Sequence, residues 1–145
     1  MNILISMCLL GTCCRYDGQP GKIPAELEQL KDHTLIPLCP EQLGGLPTPR
    51  LPSERQAERV VMCDGTDVTA QYQRGAEQAL YLARRYDCRV AILKAKSPSC
   101  GSGRIYDGSF RRTLTDGWGV TAQLLQKNGI RVYDETQIDM LLREL

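Results

Sequence analysis

Short apolar runs punctuated by glycine and proline alternate along this chain with stretches whose apolar residues recur every three or four positions. Asn2–Ser6 carries Ile3, Leu4 and Ile5 in succession, the pattern of a strand buried on both faces. A Cys/Gly loop from Cys8 to Gly21 follows, with Gly11, Gly18 and Pro20 inside it. Pro24 suits the first turn of a short helix over 25–31. Residues 35–38 read as a second strand in spite of Pro37. The stretch 39–50 is too rich in glycine and proline for either regular structure. Arg59–Met62, followed by the turn signal Asp64-Gly65 and then Val68, predicts a small hairpin. Tyr72, Ala76, Ala79, Leu80 and Ala83 share one helical face, which predicts a helix over 69–86 capped by Asp67 or Thr69. A third strand over 90–93 opens into a polar loop that lasts to Gly119. The pattern closes with a helix over Val120–Lys127 stopped by Asn128-Gly129, a strand over 130–133 and a helix over 137–144.

Buried strands alternating with amphipathic helices predict an α/β domain with a mainly parallel sheet and helices on both faces. No linker, repeat or low-complexity stretch divides the chain, so one domain over residues 1–145 is expected.

Composition narrows the function. Eighteen Lys and Arg against 17 Asp and Glu leave a net charge of +1, without the surplus that a stable nucleic-acid binder shows. No apolar run reaches the ~18–20 residues of a membrane span. No Lys or Arg precedes the apolar start, which makes it a poor signal peptide. Leu10-Gly11-Thr12-Cys13 has a faint lipoprotein look, against which the missing basic start argues. The expected location is the cytoplasm, where thiols stay reduced. There are seven cysteines and one histidine, so the chemistry to look for is that of thiols. Nothing in the sequence sets an oligomeric state.

In open α/β sheets ligands bind outside the carboxyl ends of the strands. Cys8, Cys39 and Cys100 each stand at or near such an exit, among Gly and Pro residues where no core needs filling. They are far apart in sequence, and the topology gathers them on one sheet edge. Cys14 lies in the first of these loops and is a fourth candidate. Its neighbour Cys13 diverges from it, and Cys63 and Cys88 read as packing residues. Soft thiolates select zinc, copper(I) or iron–sulfur clusters. The lack of a C-x₂-C pair weighs against structural zinc, and ligands from separate loops suit a broader cluster; spacing alone leaves both open. Glu41, two residues past Cys39, is a candidate for proton transfer. Ser97 and Ser99 precede Cys100, in a loop where serines commonly satisfy backbone groups. Arg15, Arg50, Lys94, Lys96 and Arg104 fall in or beside the same loops and would offset negative charge there. The helix after Gly117-Trp118-Gly119 offers N–H groups to an anion or a carbonyl oxygen. His33 reads as a surface or capping residue.

Five stretches together resemble a known family. They are 5–18 (ISMCLLGTCCRYDG), 38–50 (LCPE and GGLPTPR), 93–101 (LK and SPSCG), 106–110 (YDGSF) and 117–122 (GWGVTA). The pattern is similar to that of the small bacterial proteins that include the thiouracil desulfurases, and it spans almost the whole chain. The resemblance implies a Rossmann-like three-layer α/β/α fold and a [4Fe–4S] cluster held by three cysteines. It implies a hydrolytic desulfidase whose substrate, a thiouracil or a related thiolated base or nucleoside, binds through sulfur to the iron without a protein ligand. Glu41 and Ser97 match the family's catalytic carboxylate and serine. Cys8, Cys39 and Cys100 are the ligands expected, with Cys14, whose loop also matches, as a fourth candidate. Two other classes stay in view: a non-catalytic binding module stabilised by a metal or cluster, and a sulfur-transfer enzyme for RNA modification.

Overall fold

The computed structural model of the protein describes residues 1–145. In chain order the elements begin with β1 (Asn2–Ser6), 3₁₀ turns over Met7–Leu10 and Ala25–Leu30, β2 (Thr34–Leu38) and α1 (Pro40–Leu43). They continue with β3 (Ser53–Gln56), β4 (Arg59–Met62), α2 (Thr69–Arg85), β5 (Val90–Ile92), β6 (Ser102–Tyr106) and β7 (Leu114–Trp118). They end with α3 (Val120–Lys127), β8 (Arg131–Tyr133) and α4 (Ile138–Glu144). Strands β2, β1, β5 and β8 form, in that order, a four-stranded sheet whose pairs are all parallel.

Side chains on a strand alternate between faces, so β1 feeds two cores. Ile3 and Ile5 join Leu27, Leu30, Val90, Ile92 and the α4 residues Ile138 and Leu141 on one face. Leu4 joins Ala91, Leu93, the α2 residues Ala79 and Ala83, and the α3 residues Ala122 and Leu125 on the other. This is the expected three-layer α/β/α arrangement. The alanine stripe of α2 lets that helix lie close to the sheet.

Several local expectations are revised. The segment 39–50 is not wholly irregular: Pro40 occupies the first helical turn of α1, where its missing N–H costs nothing. This short helix sits backbone to backbone on α2, because a Cβ on Gly75 would come within 2.0 Å of the Pro40 carbonyl oxygen. A Cβ on Gly44 would meet the Gln71 carbonyl oxygen at the same 2.0 Å. The helix expected over 25–31 is a 3₁₀ turn. Arg59–Met62 does form a hairpin, but with β3 as its partner. The Asp64-Gly65 turn instead closes the Val61–Asp67 bridge beyond it. Asp67 rather than Thr69 serves the start of α2, accepting from the Thr69 N–H at 2.8 Å, while the Thr69 hydroxyl accepts from the Val60 N–H. The polar loop expected up to Gly119 contains the antiparallel hairpin β6–β7. Its strands carry Gly103, Asp116 and Gly117, residues that mute a strand signal. No helix is long and apolar enough to cross a membrane.

Candidate active site

The chain leaves β1 toward β2 on one side and returns to β5 on the other, so the strand order reverses at β1. A crevice opens beyond the carboxyl ends of strands at such a point. Here it is a cavity of about 580 Å³, within the usual range for small-molecule sites. Cys8, Cys14, Cys39, Cys100, Glu41 and Ser97 all line it. They come in pairs from three turns of the same rim. Cys8 lies in the 3₁₀ turn after β1, Cys39 immediately before α1, and Cys100 in the loop between β5 and β6.

All seven cysteines are free thiols. Cys13 is exposed while Cys14 is buried, so the adjacent pair diverges as expected. Cys88 is buried, as a packing residue should be. Cys63 is not: it is exposed at the end of the β4 hairpin, which corrects its reading as a core residue. The Cys14 thiol lies between Cys8 and Cys39. Its hydrogen bonding holds Cys8 below the ordinary thiol range against the opposing effect of burial, and Lys94 adds to the lowering. The same thiol leads the causes that bring Cys39 down to about 7, where burial again opposes and the Gln42 N–H and Arg50 assist. Cys14 itself is pushed up by its hydrogen bonds to Cys39 and Cys8 and by burial. Cys100 is pushed up to about 12 by burial, opposed by the Ser6 hydroxyl that contacts its sulfur at 3.5 Å.

Glu41 is anchored by Arg50, whose side chain is only 4% exposed. The Arg50 Nε donates to Glu41 Oε2 at 2.7 Å, and Nη2 reaches the same oxygen. Nη2 also donates to the Cys14 carbonyl at 3.0 Å, and Nη1 to the Pro47 carbonyl and Thr48 hydroxyl. One guanidinium thus ties together the Cys14 loop, the Glu41 turn and the proline-rich segment. Burial opposes the Arg50 charge, and Glu41 more than restores it through charge and hydrogen bonding together. Tyr72 faces the same carboxylate; burial first, and then the Glu41 charge, keep its hydroxyl protonated.

The Ser97 hydroxyl oxygen accepts the backbone N–H groups of Ser99 and Cys100, both at 3.1 Å. It shapes the turn that presents Cys100 and is left with one hydrogen to donate. Ser99 points away from the cavity, sharing a buried hydrogen bond with Thr121.

Of the basic residues, Arg15, Arg50, Lys94 and Lys96 line the cavity. Arg104 does not: it pairs with Asp116 on the exposed face of the β6–β7 hairpin. The N–H groups at the start of α3 are also spent, on the carbonyls of Pro98 and Ser99, so that helix end holds the Cys100 loop rather than a ligand. His33 is half-buried and meets the chain's amino terminus at 3.1 Å, far from this chemistry.

Three contributors had no sequence reading. Buried Ser6 accepts the Lys94 N–H as it contacts Cys100. Its signal was a lone hydroxyl closing an apolar strand. Glu135 fixes Lys94 at 2.6 Å and takes the Ala95 N–H. Glu54 is a buried carboxylate on β3. The last two gave no local signal, because their partners are distant in sequence.

A metal-binding role fits this donor set. Four thiols from three loops share one cavity, two of them held toward the thiolate form that binds metal.

Comparison with known proteins gives the chain a family. The sequence profile described as 2-thiouracil desulfurase matches residues 3–137. The uncharacterized protein YbbK of Bacillus subtilis (strain 168) is 38% identical over 150 residues, covering 97% of this chain and 99% of YbbK. A solved structure of TudS, a [4Fe-4S]-dependent thiouracil desulfidase, is 47% identical and superposes with a TM-score of 0.91 over 99% of both chains. With its fold, its thiol-lined cavity and a match over nearly its whole length, this chain belongs to the 2-thiouracil desulfurase family.

Proposed function

We propose that this chain is a [4Fe–4S]-dependent hydrolytic desulfidase acting on thiouracil or a closely related thiolated pyrimidine. The observation that carries the reading is the convergence of Cys8, Cys39, Cys100, Glu41 and Ser97 on one cavity. The 47% identity to a protein with that cofactor and activity supports it. A cytoplasmic setting suits a site of reduced thiols.

The residues that would hold the cluster are Cys8, Cys39 and Cys100. A cube of irons and sulfides is broader than one ion, and its ligands must stand apart around it. Cys14 is in hydrogen-bonding contact with both Cys8 and Cys39, and we read it as their hydrogen-bonding neighbour rather than as a further ligand. A cluster held by three thiolates supplies an iron without a protein ligand, a Lewis acid for the thiocarbonyl sulfur.

The chain's own side chains supply the remainder. Glu41 has Oε2 committed to Arg50, which leaves Oε1 to take a proton from water attacking the thiocarbonyl carbon. Ser97 has both acceptor positions occupied and one hydrogen free, so its task is donation to the exocyclic carbonyl oxygen of the substrate. Carbon exchanges its bond to sulfur for a bond to oxygen; of the two protons of the water, one departs with the sulfur as hydrosulfide and the other passes through Glu41 to solvent. No electrons enter or leave.

The test is anaerobic incubation of cluster-loaded protein with 2-thiouracil. The reading expects loss of the thiouracil absorbance with uracil and sulfide formed in equal amounts. Unchanged thiouracil would refute it, and sulfur passed to an RNA acceptor in place of free sulfide would favour sulfur transfer.

A further inference from the structure

In the same cavity, one aromatic ring is held by a set of contacts of its own. Phe110 is the only phenylalanine in the chain; it is half-buried and lines the cavity. Its backbone is left-handed, with φ at +59°. Arg112, two residues on, has φ at +56° and lines the same wall. Bulky residues avoid this region, and where they are held in it the surroundings must enforce it.

The enforcement is visible. Glu54, only 8% exposed and without a cationic partner, accepts the Gly108 N–H at 2.9 Å and the Phe110 N–H at 3.1 Å through Oε1. Gln56, on the same strand, donates to the Gly108 carbonyl at 2.9 Å. Asp107 closes the turn internally by accepting from Ser109. A buried carboxylate is costly unless fully satisfied, and here both of its bonds fix the loop that carries Phe110.

We propose that Phe110 is the stacking wall for the substrate's ring, and that Glu54 is the positioning residue that sets it by clamping the Gly108 and Phe110 amides. The inference rests on the desulfidase reading and narrows it. The site selects flat heteroaromatic thiocarbonyl compounds, because an aromatic face rewards a stacked ring and gives an open-chain thioamide little.

The experiment uses uracil, which has the ring and lacks the sulfur. Its binding to cluster-loaded protein is measured by equilibrium dialysis, beside KM and kcat for 2-thiouracil. Phe110→Leu is expected to weaken uracil binding and raise KM roughly tenfold, with kcat and iron content near wild type. Phe110→Tyr keeps the face and should restore both. Glu54→Ala removes the oxygen that accepts both amides and should weaken uracil binding in the same direction at unchanged iron content. Uracil binding and KM left unchanged in Phe110→Leu would overturn the inference while thiouracil turnover still stood. Wild-type protein that loads a cluster and leaves thiouracil intact would sink the desulfidase reading instead.

Discussion

Arg50 delivers two of its N–H groups, Nε and Nη2, to a single oxygen of Glu41. The second carboxylate oxygen, Oε1, takes no part in the pair. The arrangement fixes the carboxylate through Oε2 and leaves Oε1 outside the ion pair, beside the Tyr72 hydroxyl. Glu41→Gln preserves shape and loses the basic oxygen. It should keep the cluster and lower turnover at least ~10²-fold, measured as single-turnover loss of thiouracil absorbance.

Arg50→Gln leaves Glu41 largely buried without its counter-charge. Breaking a buried ion pair by removing one partner costs about 3–5 kcal/mol. Denaturant titration should register a loss of that order, and turnover should fall with it as Glu41 loses its anchor. Arg50→Lys restores charge without the two-pronged geometry and should recover stability more than activity.

The cysteines divide by position. Cys8→Ser, Cys39→Ser and Cys100→Ser should each prevent cluster assembly, since serine is a poor ligand for soft iron. Cys14→Ser keeps a hydrogen-bond donor between Cys8 and Cys39 and should retain iron. Cys88→Ser is expected to cost about 1 kcal/mol of stability because it buries a hydroxyl. Cys63→Ser, at an exposed site, should be silent. Iron content and thermal melting of the six variants check the division.

Gly75 couples the fold to the site. An added methyl group there would overlap the Pro40 carbonyl, and Pro40 lies between Cys39 and Glu41. Gly75→Ala must push α1 off α2. Such overpacking typically costs about 1–3 kcal/mol, and here the displaced element carries the proposed base and directly follows Cys39. The variant should show lowered iron loading as well as lowered stability. Normal loading at reduced stability would mean that α1 adjusts without moving Cys39.

Acid stability has a traceable contributor away from the site. Hydrogen bonds from the Thr69 hydroxyl and N–H, with help from Arg59, bring the exposed Asp67 carboxyl down to about 2 from an ordinary 3.8. A depressed carboxyl stabilises the fold above its unfolded value, and that stabilisation fades as pH falls through the folded value. Asp67→Asn should therefore flatten the stability-versus-pH curve between about pH 4 and pH 2. Denaturant midpoints across that window provide the measurement.

What the sequence made legible followed periodicity and strand exits. Ile3, Leu4 and Ile5, the α2 stripe and the α3 and α4 patterns are local signals, and they placed the parallel sheet and both helical layers. Cys8, Cys39 and Cys100 could be gathered because strand carboxyl ends share one edge whatever the loops do. The β6–β7 hairpin escaped because its glycines and Asp116 carry no alternation. Glu54 and Glu135 escaped for a different reason: their partners, at Gly108, Phe110 and Lys94, lie about 40 residues or more away. Arg50 was legible as a cation near the site. That it would turn inward to bind Glu41 and three backbone or hydroxyl oxygens was not, since only the folded rim brings those acceptors together.

The central claim is that the thiol-lined cavity holds a [4Fe–4S] cluster through three cysteines. Its most direct test is the iron and acid-labile sulfide content of protein purified and reconstituted without oxygen, compared between wild type and Cys14→Ser. The account predicts brown protein with about four iron and four sulfide per chain in both. Colourless wild-type protein with one tightly held zinc would contradict the cluster. A Cys14→Ser variant that loses its iron would contradict the three-ligand site and the open iron that the proposed chemistry requires.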